Sequence, residues 1–286
     1  MLSRLRQAGL LPRKGLGQHF LHDPAILSQI ASAGELTSGE AILEVGTGPG
    51  TLTRFLSGDG RRVITVEVDP AMLDFAREEL AGREGITFLG FDALDGRGGL
   101  NPRLRRELEQ VGPFKLVSNL PYGSATPLLL AVLESGLHLV LAIVTVQKEV
   151  AERLTAKLGT RDYSPLTVLA AYWAIADRLR VLPPGSFWPP PRVSSAVVKL
   201  RPHPKPFDSP EIYIAYRGWV HRLLSQRRKQ LGGLLRDALG PAGEANALSL
   251  LALEPAVRPD RVPPRGFLRL AREFRSFEFD TPVTFP

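Results

Sequence analysis

Short apolar runs alternate with stretches of helical periodicity through the first half of the chain. Ala41–Val45 is apolar apart from one acid and is followed at once by glycines. Similar runs fall at Val63–Val68, Ile86–Leu89, Phe114–Val117 and Leu139–Val146. Runs this short, bounded by turn residues, predict buried strands. Between them, Thr51–Leu56, Pro70–Leu80, Asn101–Val111 and Thr126–Leu133 repeat apolar residues at helical spacing. Pro70 suits a first helical turn, where its missing N–H costs nothing. Strand and helix alternation of this kind predicts an α/β protein: a doubly wound, mainly parallel sheet with helices on both faces.

The pattern loosens after Gln147. Lys148–Lys157 reads as a helix, and Tyr163–Trp173 fits a helix or a strand equally. Asp177–Leu182 and Ser195–Leu200 predict two further strands joined by a proline-rich stretch. Arg201–Pro210 holds four prolines in ten residues, the composition of a stiff linker. Beyond it, Ile212–Leu239, Ala245–Leu251 and Phe267–Phe274 are helical in period. The expected division is a sheet domain over residues 1–206 and a small all-α domain over 207–286, whose end from Ser276 is a loose tail.

Composition narrows the chemistry. The 286 residues are 44% hydrophobic and 23% charged, the balance of a soluble globular protein. No cysteine is present, which excludes disulfides, thiolate metal sites and thiol catalysis. Five histidines without an HExxH pattern give no reason to expect a metal. The longest apolar run, Leu139–Val146, is far short of the ~20 residues a membrane helix needs. A cytoplasmic monomer with no membrane partner is expected. Net charge is +7, and it is uneven: residues 1–22 carry +4, the middle to residue 200 carries −2, and the remainder +5. Basic ends around a near-neutral middle suit a polyanion such as nucleic acid.

Glu44-Val-Gly-Thr-Gly-Pro-Gly50 follows the first strand and opens a helix. Gly46, Gly48 and Gly50 allow a tight turn and a close backbone approach to a ligand. Glu67 ends the second strand, 21 residues after Gly46, where a carboxylate can accept ribose hydroxyls. Asp92, just past the third strand, can meet an adenine edge. This much predicts an adenosine-containing cofactor, either a nicotinamide dinucleotide or S-adenosylmethionine. The GxGxG spacing and the acid Glu44 disfavour a pyrophosphate. A carboxylate at Glu44 is tolerable beside a sulfonium. Glu44 and Asp92 could instead only brace loops.

The fourth strand ends in Ser118-Asn119-Leu120-Pro121-Tyr122. An adenine amine is a poor nucleophile because its lone pair is delocalised into the ring. Two acceptors, the Asn119 side-chain oxygen and the Leu120 carbonyl, can take both its N–H groups and favour a pyramidal, attacking nitrogen. Pro121 fixes the turn, and Tyr122 offers a face for an extruded base. Catalysis would then be mainly positioning and electrostatics.

At these residues the chain resembles the KsgA/RsmA family of ribosomal RNA adenine dimethyltransferases, relatives of the Erm resistance methyltransferases. Lys14-Gly-Leu-Gly-Gln-His-Phe-Leu21, Glu44–Gly50, Asn119–Tyr122, Gln147–Arg153, Phe187–Ser195 and Gln226-Arg-Arg-Lys229 each resemble a family motif, in order. The resemblance implies four methyl transfers from S-adenosylmethionine to two adjacent adenines in a hairpin loop near the 3′ end of small-subunit rRNA, within small-subunit biogenesis. It implies cofactor contacts at His19, Leu21, Gly46, Glu67, Asp92 and Asn119. His19 departs from the family, where asparagine is common, and Thr47 stands where proline is commoner. Phe187 is implied near the acceptor pocket; held by the PPP run, it could flank a base or could equally be a core aromatic. Arg222, Arg227, Arg228 and Lys229, with Arg217, form a basic stretch read as an RNA phosphate contact or as a solvated face. Competing readings are an Erm-type enzyme acting on large-subunit RNA, an assembly factor without chemistry, and a nicotinamide dehydrogenase.

Overall fold

The computed structural model describes residues 2–204 and 208–275. The expected loose tail from Ser276 lies outside the described residues. The chain divides into two compact units, Met1–Ala151 with Ile175–Pro202, and Glu152–Ala174 with the segment from His203 onward.

In the first unit, α1 (Leu2–Gln7) and β1 (Phe20–Leu21) precede α2 (Pro24–Ala33). The elements β2 (Ala41–Val45), α3 (Thr53–Leu56), β3 (Arg62–Glu67), α4 (Pro70–Glu79), β4 (Ile86–Gly90), α5 (Pro102–Val111), β5 (Phe114–Asn119), α6 (Ala125–Glu134) and β6 (Leu139–Gln147) then alternate as the pattern predicts. The predicted strands lie within a residue or two of the observed ones. After α7 (Lys148–Leu154) and α8 (Pro165–Trp173) come β7 (Ala174–Leu182), β8 (Phe187–Trp188) and β9 (Ser195–Pro202). Seven strands form one sheet in the order β4-β3-β2-β5-β6-β9-β7, and β1 and β8 form a separate two-stranded ribbon. The pairings β3–β4, β2–β3, β2–β5 and β5–β6 are parallel, and β6–β9 is antiparallel. All five positions of β2 are buried, as befits a central parallel strand covered on both faces.

Three helices begin by one local rule. Asp23, Asp69 and Asn101 each stand before a proline and accept backbone N–H bonds two residues on, which caps α2, α4 and α5. The strand order reverses between β2 and β5: β3 and β4 follow β2 on one side and β6 follows β5 on the other, so the carboxyl ends of β2 and β5 open a crevice beside Asn119. Ligands of open α/β sheets bind in such crevices.

In the second unit, α8 joins α9 (Pro210–Leu224), α10 (Leu231–Leu251), which is broken by a kink at Gly240–Pro241, and α11 (Pro264–Glu273). The ambiguous Tyr163–Trp173 is thus helical, begun where the Ser164 N–H donates to Thr167 Oγ1 at 3.0 Å. Its aromatic residues explain why Glu152–Ala174 groups with the C-terminal helices rather than with the sheet, as a boundary at 206/207 would have it. Tyr216 donates its hydroxyl to the Val168 carbonyl, Tyr163 donates to the Val262 carbonyl, and the Tyr172 ring lies 5.0 Å from Tyr216.

The single period read over Ile212–Leu239 is two helices. The chain leaves the helical path at Ser225–Gln230, because Leu231 and Gly232 donate to the carbonyls of Val257 and Pro255 instead of continuing the α9 ladder. Both helices bury the same kind of stripe, Trp219 and Leu223 on one and Leu231 and Leu235 on the other, so the period runs through the break. Gln226–Lys229, read from the sequence as helical, is therefore a turn.

Candidate active site

A cavity of about 370 Å³ lies at the carboxyl ends of β2, β3 and β5 and is roofed by the N-terminal segment Gly15–Phe20. The glycine loop supplies Val45, Gly46 and Gly48 to its floor, and Glu67, Val68, Phe91 and Asp92 line one end. Asn119, Leu120, Pro121 and Tyr122 line the other.

Positive φ is needed where the loop turns. Gly46 has φ +84°, and a Cβ there would lie 3.3 Å from the Pro121 ring. Gly48 has φ +50°, and a Cβ would lie 2.9 Å from the Phe20 ring. The loop therefore touches the Asn-Leu-Pro-Tyr turn on one side and β1 on the other, which no side chain would permit.

Glu67 is buried at the cavity floor. Its Oε2 accepts the Gly48 N–H at 2.9 Å, and Oε1 accepts the Val68 and Asp69 N–H groups at 3.0 Å. A carboxylate has about four acceptor positions, so three backbone bonds fix its plane and leave room on Oε2 for a hydroxyl. Burial raises its pKa above the ordinary value, against those backbone bonds.

Glu44 has a different place. Its carboxyl does not line the cavity. It is buried, and one oxygen accepts the hydroxyls of Thr53 at 2.6 Å and Thr65 at 2.8 Å, with Thr47 bonded to Thr65 in turn. Of the two readings of this acid, bracing the loop is the one this geometry suits. Burial pushes its pKa from 4.5 up to about 8. Between those values the folded chain holds a proton that the unfolded chain has released. The stability it contributes is complete below about 4.5 and is lost as the pH rises toward 8. Glu44→Gln should flatten this dependence: denaturant midpoints of the parent fall relative to the variant between about pH 5 and pH 8. Parallel midpoint curves would show that Glu44 ionises normally.

Asp92 lines the cavity while its Oδ1 accepts the Leu94 N–H at 2.9 Å. On the acceptor side, the Asn119 Nδ2–H donates to the His19 carbonyl at 3.0 Å, and its Oδ1 is buried without a hydrogen-bond partner. Leu120 N–H donates to the Thr145 carbonyl, which ties the turn to β6. Tyr122 is partly buried; burial raises its pKa, and its hydroxyl bonds Ser195 Oγ. The His19 ring stacks on Tyr122 with centroids 5.1 Å apart.

The cavity thus brings together His19, Gly46, Glu67, Asp92, Asn119, Leu120, Pro121 and Tyr122. It does not include Leu21 or Phe187, which are 1% exposed and pair with one another across the β1–β8 ribbon in the hydrophobic core. Of the two readings of Phe187, the core aromatic is the one this position suits. In the second unit, Arg228 and Lys229 are exposed on the α9–α10 turn. Arg227 is committed within that unit: its Nη2 lies 3.4 Å from the Thr160 carbonyl and 4.0 Å from Asp260.

Sequence reasoning missed Asp69. Its buried carboxylate caps α4 through Oδ1, while Oδ2 lies 3.4 Å from both Gln18 Nε2 and Arg13 Nε. Gln18 lines the cavity, so this acid holds the N-terminal roof to the floor. The Asp-Pro cap was legible, but its second partner is 51 residues away. Among the described residues, no group of three or more His, Asp or Glu is placed to hold a metal, and no helix is long and apolar enough to cross a membrane.

A glycine loop after the first sheet strand, an acid ending the next and Asn-Leu-Pro-Tyr at the topological switch define a Rossmann-like methyltransferase. Solved structures agree on the fold: a dimethyladenosine transferase from Plasmodium falciparum superposes with TM-score 0.75 at 24% identity, covering 91% of this chain and all of that one. The 23S rRNA methyltransferase ErmE superposes with TM-score 0.68 at 27% identity over 92% of this chain and all of its own. The chain belongs to the ribosomal RNA adenine dimethylase family, whose profile matches residues 10–275. Relatives named ribosomal RNA small subunit methyltransferase A include one from Deinococcus radiodurans, 39% identical over 92% of this chain and 86% of its own. Another, from Lactiplantibacillus plantarum, is 33% identical over 92% and 90%. The protein is accordingly an rRNA adenine dimethyltransferase, which requires a methyl donor and an rRNA substrate.

Proposed function

We propose that the protein uses S-adenosylmethionine to dimethylate N6 of two adjacent adenines in the 3′-terminal hairpin loop of small-subunit rRNA. The observation that carries this reading is Asn119: the residue lines the cavity, its amide is oriented by the His19 carbonyl, and its buried Oδ1 has no partner. A buried acceptor left open costs about 1–3 kcal/mol, and an adenine amine would satisfy it.

The residues fit the cofactor. Glu67 keeps acceptor capacity for a ribose hydroxyl, Gly46 and Gly48 admit a ligand against the backbone, and Asp92, which lines the same cavity, is read as the partner of the adenine edge. When bound, S-adenosylmethionine supplies an electrophilic methyl group on a cationic sulfur. The chain's own work is to present the nucleophile. Asn119 Oδ1 and the Leu120 carbonyl accept the two N–H groups, so the nitrogen lone pair is directed out of the ring plane. Tyr122, fixed through its hydroxyl by Ser195, bears the flipped base. As the C–N bond forms and the methyl–sulfur bond breaks, releasing the demethylated cofactor, the extra proton stays on the nitrogen, hydrogen-bonded to Asn119 Oδ1, until solvent takes it. Alignment does most of this.

Arg228 and Lys229, with Arg222 in the last turn of α9, are read as phosphate contacts, and Arg227 braces the turn. The double reversal Arg228→Glu/Lys229→Glu should weaken binding to the small subunit and reduce the slope of log K against log salt by about 1–2. Filter binding over a salt series checks this; an unchanged slope removes the turn from the interface.

The large-subunit alternative is favoured by the likeness to ErmE, and the small-subunit reading by the names of the curated relatives. Incubation with undermethylated small and large subunits and labelled S-adenosylmethionine, followed by mass-spectrometric mapping, decides between them. Label confined to adjacent adenines of the small subunit is expected. Label in the large subunit establishes the other reading, and binding without transfer would make the protein an assembly factor.

A further inference from the structure

Both groups that would present the base lean on one residue. The Asn119 Nδ2–H donates to the His19 carbonyl at 3.0 Å. With Nδ2 engaged there, Oδ1 is the end left open. A reversed amide would set N–H donors against the donors of an amine. The imidazole of the same residue lies against Tyr122, centroids 5.1 Å apart and planes inclined by 27°. Its Nδ1 lies 2.7 Å from the Pro189 carbonyl oxygen. A carbonyl only accepts, so Nδ1 carries the proton and the ring is fixed in orientation. Residues 19 and 189 flank the paired strands of the β1–β8 ribbon, where Phe20 faces Trp188 and Leu21 faces Phe187. That ribbon, buried through Leu21 and Phe187, sets the height of His19 over the acceptor turn.

We infer that His19 is a positioning residue of the acceptor site. Its backbone orients the Asn119 amide, and its imidazole, braced by Pro189, holds the Tyr122 ring where a base must stack. The inference rests on the adenine-methylation reading of this cavity. It assigns His19 a role in the rate of transfer that a cofactor contact alone would not give.

Three variants separate the parts. His19→Phe keeps a ring against Tyr122 and loses the donor to Pro189. His19→Asn keeps an N–H near the Nδ1 position and loses the ring. His19→Ala loses both. Single-turnover transfer to undermethylated small subunits is measured at saturating S-adenosylmethionine, and cofactor affinity is measured by calorimetry without RNA. His19→Ala should slow transfer at saturating cofactor about 10–100-fold, well beyond any accompanying loss of cofactor affinity, with Phe and Asn each recovering part of the rate. Should His19→Ala fail to fold, the Phe and Asn variants carry the same comparison. Cofactor affinity falling by as much as the rate, or a rate unchanged in all variants that fold, overturns the inference. The parent enzyme on the same subunits is the separate control. If it methylates no adenine there, the site reading itself falls; if it does and the His19 variants match it, only the positioning role falls.

Discussion

Asn119→Ala is expected to slow methyl transfer by about 10²–10³-fold, the scale on which a single preorganised hydrogen-bonding group acts in a dry site. Two losses combine. The open Oδ1 acceptor disappears, so the adenine amine keeps its planar, delocalised lone pair. The His19 carbonyl also loses its Nδ2–H partner, which loosens the strap between Asn119 and the roof. Binding of the small subunit should change little under the proposal that Arg228 and Lys229 carry it. Single-turnover kinetics with filter binding on the same preparations separate the two. Asn119→Asp is the sharper comparison: it restores acceptors but turns the group facing the His19 carbonyl from donor to acceptor, so it should recover little. Transfer at the parent rate in either variant would remove Asn119 from the chemistry.

Glu67→Ala is expected to cost both stability and cofactor. The Gly48, Val68 and Asp69 N–H groups lose their acceptor. Gly48 and Asp69 are buried, whereas Val68 is exposed and its N–H can turn to water. Two orphaned buried donors at about 1–3 kcal/mol each, offset in part by release of a carboxylate that burial disfavours, give a net loss of about 2–4 kcal/mol. Urea unfolding reads it directly. Calorimetry should show S-adenosylmethionine affinity falling at least about 10–100-fold, the range for a charged hydrogen bond lost together with an ordered loop. Glu67→Gln keeps one acceptor oxygen but sets an NH₂ against backbone donors, so it should fall between. Unfolding free energy unchanged in Glu67→Ala would mean that the glycine loop is held by its own turn geometry.

The strands and helices of the first unit were legible because their apolar runs are short, buried and punctuated by glycine, proline and capping acids. The glycine loop was legible for the same reason: a tight turn between strand and helix admits few residues, and Gly46 and Gly48 mark it. The later helices were less legible. Periodicity carried across Ser225–Gln230 because α9 and α10 bury similar stripes, and only the backbone bonds to Pro255 and Val257 reveal the break. Phe187 was readable as a pocket or a core residue, and its pairing with Leu21 could not be foreseen from either segment.

Local order alone determined the strand and helix segments, the glycine turn, Glu67 at a strand end and Asn-Leu-Pro-Tyr at another, since each depends on neighbours within a few residues. Tertiary structure decided which groups meet across long gaps. Asp69 latches Gln18 and Arg13 from 51 and more residues away, and His19 reaches Asn119 and Pro189 across 100 and 170 residues. Such contacts are fixed by packing of the whole sheet against its roof, and no sequence window contains both partners.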